Sequence, residues 1–259
     1  MTYVFDNAAP HARERLGALA AVHDDGTIRQ LQARGVAEGW KCLEIGGGLG
    51  TITRWLSDRV GRCGHVVTTD IDTRFLDAIA RENVEVWCHD VLRDPLPEAT
   101  FDLAYSRLVL QHLADPDTAL DRMVKAIRPG GWLMVEDFEV PELAGSHSMA
   151  GLATTLAAMR RVTEAAGADG RMGLSLGRRL RSFGLLHVGH EGRVQMFRGN
   201  TLGANLVRLN FEQLREPMLA TGLNEADLQA DLALLDDEHF EWRSPTVWTA
   251  WGQRPGVWL

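Results

Sequence analysis

Apolar and polar positions follow two rhythms along this chain, one strand-like and one helical, and their order predicts an architecture. "KCLEIGG" is a short apolar run that ends in glycine, and "LGTITRWLSDRV" then sets Ile52, Trp55, Leu56 and Val60 on one helical face. "GHVVTTDID" reads as a second strand, "TRFLDAIAREN" as a second helix, and "VEVWCHD" and "FDLAYSR" as two further strands. "DTALDRMVKAIRPGG" reads as a helix stopped by Pro129, Gly130 and Gly131, and "WLMVEDFE" as the next strand. Alternation from about Lys41 to Glu139 is the pattern of an α/β fold with a doubly wound, mostly parallel sheet and helices on both faces.

Outside that stretch the rhythm changes. Residues 8–36 read as two helices, the first carried by Leu16, Leu19 and Ala20, the second by Ile28, Leu31 and Val36. After Glu139, Met149, Leu152, Leu156 and Met159 form one stripe of an inserted helix. "GRRLRSFGL" reads as a sheet-flanking helix, and "LHVGHEGRVQMFRG" as a strand with a kink. A second helical insertion follows, and "EWRSPTVWTAWGQ" closes the chain as a β-rich run. The expected division is an N-terminal helical cap over 1–37, a core over 38–140, 173–199 and 240–259, and insertions over 141–172 and 200–239 that form a lid.

Composition narrows the function classes. With 45% hydrophobic and 24% charged residues the chain is an ordinary globular protein, and its formal charge of -8 argues against life on nucleic acid. No apolar run reaches membrane-spanning length, and the polar N-terminus reads as no signal peptide, so a cytoplasmic location is expected. The three cysteines, Cys42, Cys63 and Cys88, have no CxxC spacing, so neither a metal site nor a disulfide framework is expected. Cys42 and Cys88 lie in apolar strand-like runs and read as buried, inert thiols.

The candidate chemistry begins at "CLEIGGGLGT", four glycines in five positions at a strand-to-helix junction. There a tight turn lets backbone approach a ligand, and the helix N-terminus favours negative charge. The dinucleotide fingerprint G-x-G-x-x-G fails, because Thr51 stands where its last glycine belongs, and no Gly-Lys-Ser/Thr follows for a phosphate-binding loop. What remains is Glu44-x-Gly46-x-Gly48-x-Gly50. Asp70 ends the second strand, where a carboxylate can accept ribose hydroxyls, and "CHD" brings Asp90 and Val91 to the same edge.

With "FDLAYSRLVLQHLADPDTALDRMVKAIRPGGWLMVEDF" added, residues 38–139 resemble the class I S-adenosylmethionine-dependent methyltransferases. Within them the chain looks most like the small-molecule branch of quinone methylation and natural-product tailoring. The resemblance implies a Rossmann-like fold with helical lid insertions, S-adenosyl-L-methionine as cofactor and a small organic acceptor in secondary metabolism. It implies that Glu44, Gly46, Gly48 and Gly50 form the loop under the methionine part. Asp70 would hold the ribose, Ile71 the adenine face and Asp90 the adenine amino group, with Val91 beside it. Ser106 and Arg107 would lie at the methionyl end, and Tyr3 and Asn7 in a segment closing over the cofactor. The Asn/Asp-Pro-Pro-Tyr/Phe motif of amino-methylating nucleic-acid enzymes is absent, "YSRL" standing in its place. The expected partner is therefore a small-molecule acceptor, with no nucleic acid and no membrane, and a homodimer is the assembly considered. His112, after the fourth strand, and Asp137, near the end of the fifth, form the candidate acid–base pair: an imidazole to take a proton and a carboxylate to steady it. A second reading keeps the cofactor as part of a scaffold for a non-methylating reaction such as a cyclisation, since fold alone does not decide chemistry.

Overall fold

The structure, a computed structural model, describes residues 4–140 and 151–256; the expectations placed on Tyr3 and Met149 lie outside the described residues. The strands are β1 (Lys41–Ile45), β2 (His65–Asp70), β3 (Val84–Cys88), β4 (Phe101–Arg107), β5 (Ile127–Glu139), β6 (Leu186–Arg193), β7 (Met196–Arg198), β8 (Glu241–Arg243) and β9 (Thr246–Gln253). Seven of them make one sheet in the order β3-β2-β1-β4-β5-β9-β6. The pairings among β1 to β5 are parallel, while β9 runs antiparallel between β5 and β6. This is the doubly wound, mostly parallel sheet that the alternation predicts. Strand order reverses between β1 and β4, and a crevice opens beyond the carboxyl ends there.

Alternate residues of each central strand feed opposite faces. Cys42, Val66, Leu103 and Met134 join Ile52, Leu56 and Val60 of α2 (Thr51–Val60) on one side. Leu43, Val67, Ala104 and Leu133 join Leu120 and Met123 of α3 (Pro116–Ala126) on the other. Both faces are covered, so the strands read as near-continuous apolar runs. The start of α3 is written locally: the Asp115 carboxylate accepts the Thr118 N–H at 3.0 Å and Pro116 follows the cap.

Three expectations need correction. Residues 8–36 hold one helix, α1 (Ala12–Ala33), where two are predicted. Its packed side includes Arg15, His23, Thr27 and Gln30, so buried polar groups interrupt the apolar period. Residues 73–83 form turns and not a helix, with bonds from Leu76 N–H and Asp77 N–H to the Thr73 carbonyl (2.7 and 3.0 Å). Leu76 and Ile79 tuck against the glycine turn, where a side chain on Gly50 would collide with Ile79, so their apolar spacing serves that contact. Cys88 is exposed, because β3 is an edge strand; Cys42 is buried as expected, and burial pushes its thiol up.

The remaining helices are α4 (Ala153–Ala165), α5 (Met172–Ser182), α6 (Leu202–Gln213), α7 (Arg215–Ala220) and α8 (Glu225–Leu234). α5 packs on the sheet through Leu176 and Leu180. The other four share a separate core that includes Ala158, Phe211, Met218 and Leu228. β7 and β8 pair only with each other, and their Phe197 and Trp242 join this helical core. Among the described residues no helix is long and apolar enough to cross a membrane.

A buried charged network ties α1 to the sheet. Glu136 of β5 is fully buried, accepting from Arg193 (2.6 Å), Thr249 (2.5 Å), Thr27 (2.6 Å) and Tyr105 (3.2 Å). Arg107 donates to Thr27 (2.9 Å) and Asp24 (2.8 Å) of α1. Burial opposes the Glu136 charge, but Arg193 and Arg107 outweigh it and hold the carboxyl below its ordinary range. Removing one partner of a buried charge costs about 3–5 kcal/mol, and removing one neutral hydrogen bond about 1 kcal/mol. Arg193→Met is therefore expected to lower the urea midpoint several times more than Thr249→Val; equal shifts would show that the ion pair does not hold this end of the sheet.

Candidate active site

The β1–α2 turn is built from backbone. Gly46 and Gly47 both donate to the Thr69 carbonyl at the end of β2 (2.8 and 3.0 Å), and Gly50 donates to the Gly47 carbonyl (2.7 Å). Gly46, Gly48 and Gly50 have φ of 78, 55 and 69°, the left-handed region where a Cβ is costly. At Gly46 a Cβ would also run into Val109, which follows β4. Asp70 completes the turn: one carboxylate oxygen accepts the Gly48 N–H (3.0 Å) and the other the Asp72 N–H (3.1 Å). Burial pushes its carboxyl up, while those N–H groups pull it down.

Glu44 stands beneath the turn, buried, and accepts the Thr53 hydroxyl (2.5 Å) from the first turn of α2 and the Thr68 hydroxyl at 3.4 Å. Burial moves its carboxyl up to about 7 against the Thr53 bond, and that bond ties it to the first turn of α2. Ile71 is 63% exposed, an apolar side chain held in the open at the sheet edge. Asp90 accepts the Leu92 N–H (2.9 Å) and pairs with Arg93 at 3.3 Å, and Val91 beside it is buried.

These residues face one cavity of about 950 Å³. Glu44, Gly46, Gly48, Asp70, Ile71, Asp90, Val91, Arg107, Asn7 and His112 all line it. Gly50 caps α2 behind the wall, and Ser106 is buried outside the lining with its hydroxyl unpartnered. Arg107 lines the cavity, but its guanidinium is engaged by α1. The second half of the cavity is lined by residues that the sequence reading does not single out: His23 of α1, Phe138 at the end of β5, and Leu206, Val207 and Asn210 of α6. Leu156 and Met159 of α4, from the expected lid stripe, line it as well.

The candidate acid–base pair is not assembled. His112 ends a short 3-10 turn, Leu110–His112, and lines the cavity, whereas Asp137 is fully buried and outside the lining. Burial pushes the Asp137 carboxyl well above its usual range, opposed by the backbone N–H groups of Gln111 and Leu110. The shift moves this carboxyl away from the charged form that would steady an imidazolium, and neither of its oxygens bonds the His112 ring. Burial, and then the Arg15 charge, lower His112 to about 4.

Residues 43–135 match the family described as "Methyltransferase domain". A ubiquinone/menaquinone biosynthesis C-methyltransferase, UbiE, of Saccharophagus degradans is 32% identical over 122 residues, covering 44% of this chain and 49% of that protein. The chain thus spans about half the length of the curated relatives it matches. Among solved structures, phosphoethanolamine N-methyltransferase 2 of Haemonchus contortus, in complex with phosphomonomethylethanolamine and S-adenosylhomocysteine, superposes with a TM-score of 0.63 at 14% identity, covering 99% of this chain and 61% of that one. The YcgJ protein of Bacillus subtilis gives 0.62 at 12%, covering 90% and 99%. At these identities the likeness is one of fold. The resemblance read from the glycine turn and the strand-end aspartates is met by the match of residues 43–135 to the methyltransferase-domain family, within a Rossmann-like sheet.

The lowered His112 has a consequence for stability. Below 6.5 the unfolded chain takes up a proton that the folded chain refuses until about 4. The stability owed to the neutral ring is thus whole above 6.5 and lost as pH falls toward 4. Glu44 acts in the opposite sense over part of the same window, so the difference between variant and parent isolates His112. In His112→Asn the fall in stability from pH 7 to about pH 5 should be shallower by roughly 1–2 kcal/mol. Parallel melting curves across that range would contradict the buried, neutral ring.

Proposed function

We propose that this protein transfers a methyl group from S-adenosylmethionine to a small, largely apolar organic acceptor of the quinone or natural-product kind. The observation that carries the reading is one cavity with two unlike halves. One half is a backbone turn with strand-end carboxylates; the other is a wall from α1, α4 and α6 in which apolar Leu19, Leu156, Met159, Leu206 and Val207 stand among a few polar groups such as His23, Arg160 and Asn210. The turn fits the cofactor: the left-handed glycines leave backbone bare toward the cavity, and Ile71 offers an open apolar face for a base. The methyltransferase-domain match and the relatives named as quinone C-methyltransferases support the same chemistry.

In this reading Asp70 accepts the ribose hydroxyls while its bond to Gly48 keeps the turn in shape. Asp90 takes the adenine amino group, with Ile71 and Val91 along the ring. Glu44 acts from below, through Thr53 and α2. Gly46 to Gly48 lie under the methionine part, and Arg107 and Asn7 sit toward its end, Arg107 chiefly by fixing α1 there; Ser106, buried outside the lining, takes no part in contact. When bound, the sulfonium supplies an activated methyl, so the protein's work is alignment and exclusion of water. The helical cap does both. His112, without Asp137, is the group from which an acceptor proton can be relayed. Held neutral, it is a weak base suited to an acceptor that needs little help.

Incubation with methyl-labelled cofactor and a panel of phenolic and quinol acceptors tests the reaction; cofactor binding without label transfer to any of them would favour a scaffold. Asp70→Ala should weaken cofactor affinity far more than Asp72→Ala, since charge-assisted hydrogen bonds to a ligand are worth roughly 1.5–3 kcal/mol, about one to two decades in Kd. Equal losses in titration calorimetry would remove Asp70 from the ribose.

A further inference from the structure

Two spaces meet at one side chain. The large cavity and a cleft of about 240 Å³ between α1 and the β6–β9 edge are both lined by His23. The residue is 8% exposed, and its ring meets Phe138 edge-on with centroids 5.6 Å apart. Its side-chain nitrogens make no hydrogen bond to a described residue; only its backbone carbonyl is engaged, by the Thr27 hydroxyl at 3.3 Å. The ring nitrogens are not among the fully enclosed unpartnered polar atoms, so they face the adjoining cavity, and a ligand that displaces water there without a matching group leaves them unpaired. The network below keeps it neutral: burial first and then the Arg107 and Arg193 charges lower it to about 3, against the Glu136 charge. A neutral imidazole offers one donor and one acceptor.

Position says which ligand it meets. Asp70 ends β2 and Asp90 follows β3, on one side of the β1/β4 reversal. Phe138, against which His23 packs, lies at the end of β5 on the other side. His23 therefore belongs to the acceptor half, where apolar Leu156, Met159, Leu206 and Val207 share the wall with the polar side chains of Arg160, Glu164 and Asn210.

We propose that His23 is a specificity-determining residue: it hydrogen-bonds a neutral hydroxyl or carbonyl on an otherwise apolar acceptor. A cation on the acceptor would give up its hydration beside a neutral ring whose neighbouring guanidinium groups and carboxylates are already paired with each other. The proposal rests on the methyltransferase reading above. A site built around a buried hydrogen-bonding group rejects the analogue that lacks the matching group, because the protein side is then left unpaired.

Binding to the full chain saturated with S-adenosylhomocysteine tests this without turnover, using 1-naphthol, naphthalene and 1-naphthylmethylammonium as probes. The parent protein should hold 1-naphthol about tenfold tighter than naphthalene, the loss of one desolvated hydrogen bond, and should hold the ammonium weakest. His23→Phe keeps an aromatic edge against Phe138 and should erase the preference for naphthol while leaving S-adenosylhomocysteine affinity unchanged. His23→Gln should restore much of it, and His23→Leu serves in place of the Phe variant if that one does not fold. Equal affinities for the two neutral probes in the parent, or a preference that survives in His23→Phe or His23→Leu, would overturn the proposal. Tight S-adenosylhomocysteine binding with no naphthol binding would overturn it and leave the cofactor reading standing. Failure to bind S-adenosylhomocysteine would overturn both.

Discussion

The bond from the Gly48 N–H to the Asp70 carboxylate is the constraint on which the rest depends. With the two N–H groups that Thr69 accepts, it makes the end of β2 the mould for the turn that follows β1. The turn then shapes its neighbours. Gly46 has no side chain where Val109 lies, and Val109 reaches that spot because Leu108 adopts a left-handed φ of 58°. Leu108 in turn donates to the Glu136 carbonyl at 2.8 Å. Four strands are thus linked through one loop, and the carboxyl edge of the sheet is set as a unit.

Glu136 carries the linkage onward. Its side chain lies among Arg193, Thr249, Thr27 and Tyr105, and the Arg107–Asp24 pair extends the network into α1. Buried ion pairs are weak sources of net stability, but they tolerate few alternative placements of the elements that carry them. Here that restriction falls on α1, the helix that supplies one wall of the cavity. The glycine-turn half of the cavity and the half lined by α1, α4 and α6 are therefore held in register by polar groups below them, while α4, α6, α7 and α8 pack through an ordinary apolar core.

What was legible in sequence was local. Glu44, the glycines, Asp70 and Asp90 follow from strand ends and turn stereochemistry, and those hold whatever surrounds them. The sheet was legible because strands covered on both faces leave unbroken apolar runs. What was missed depends on contacts distant in sequence. The single α1 was hidden because its packed face carries Arg15, His23, Thr27 and Gln30, some of whose partners are distant in sequence, 109 residues away in the case of Thr27 and Glu136. Residues 73–83 have helical apolar spacing, yet Leu76 and Ile79 follow the glycine turn. Asp137 and Glu136 are neighbours on one strand, but one is held charged by two arginines and the other is pushed toward its neutral form by burial. Nothing in the chain order distinguishes them.

The central claim is that the glycine turn with Asp70 is a site for the adenosyl group of a sulfonium cofactor and not for a dinucleotide. Titration calorimetry of the intact protein with S-adenosylmethionine, and separately with NAD, tests it most directly. The account predicts saturable one-to-one binding of S-adenosylmethionine and none of NAD under the same conditions. Saturable NAD binding with no heat from the sulfonium compound would contradict it.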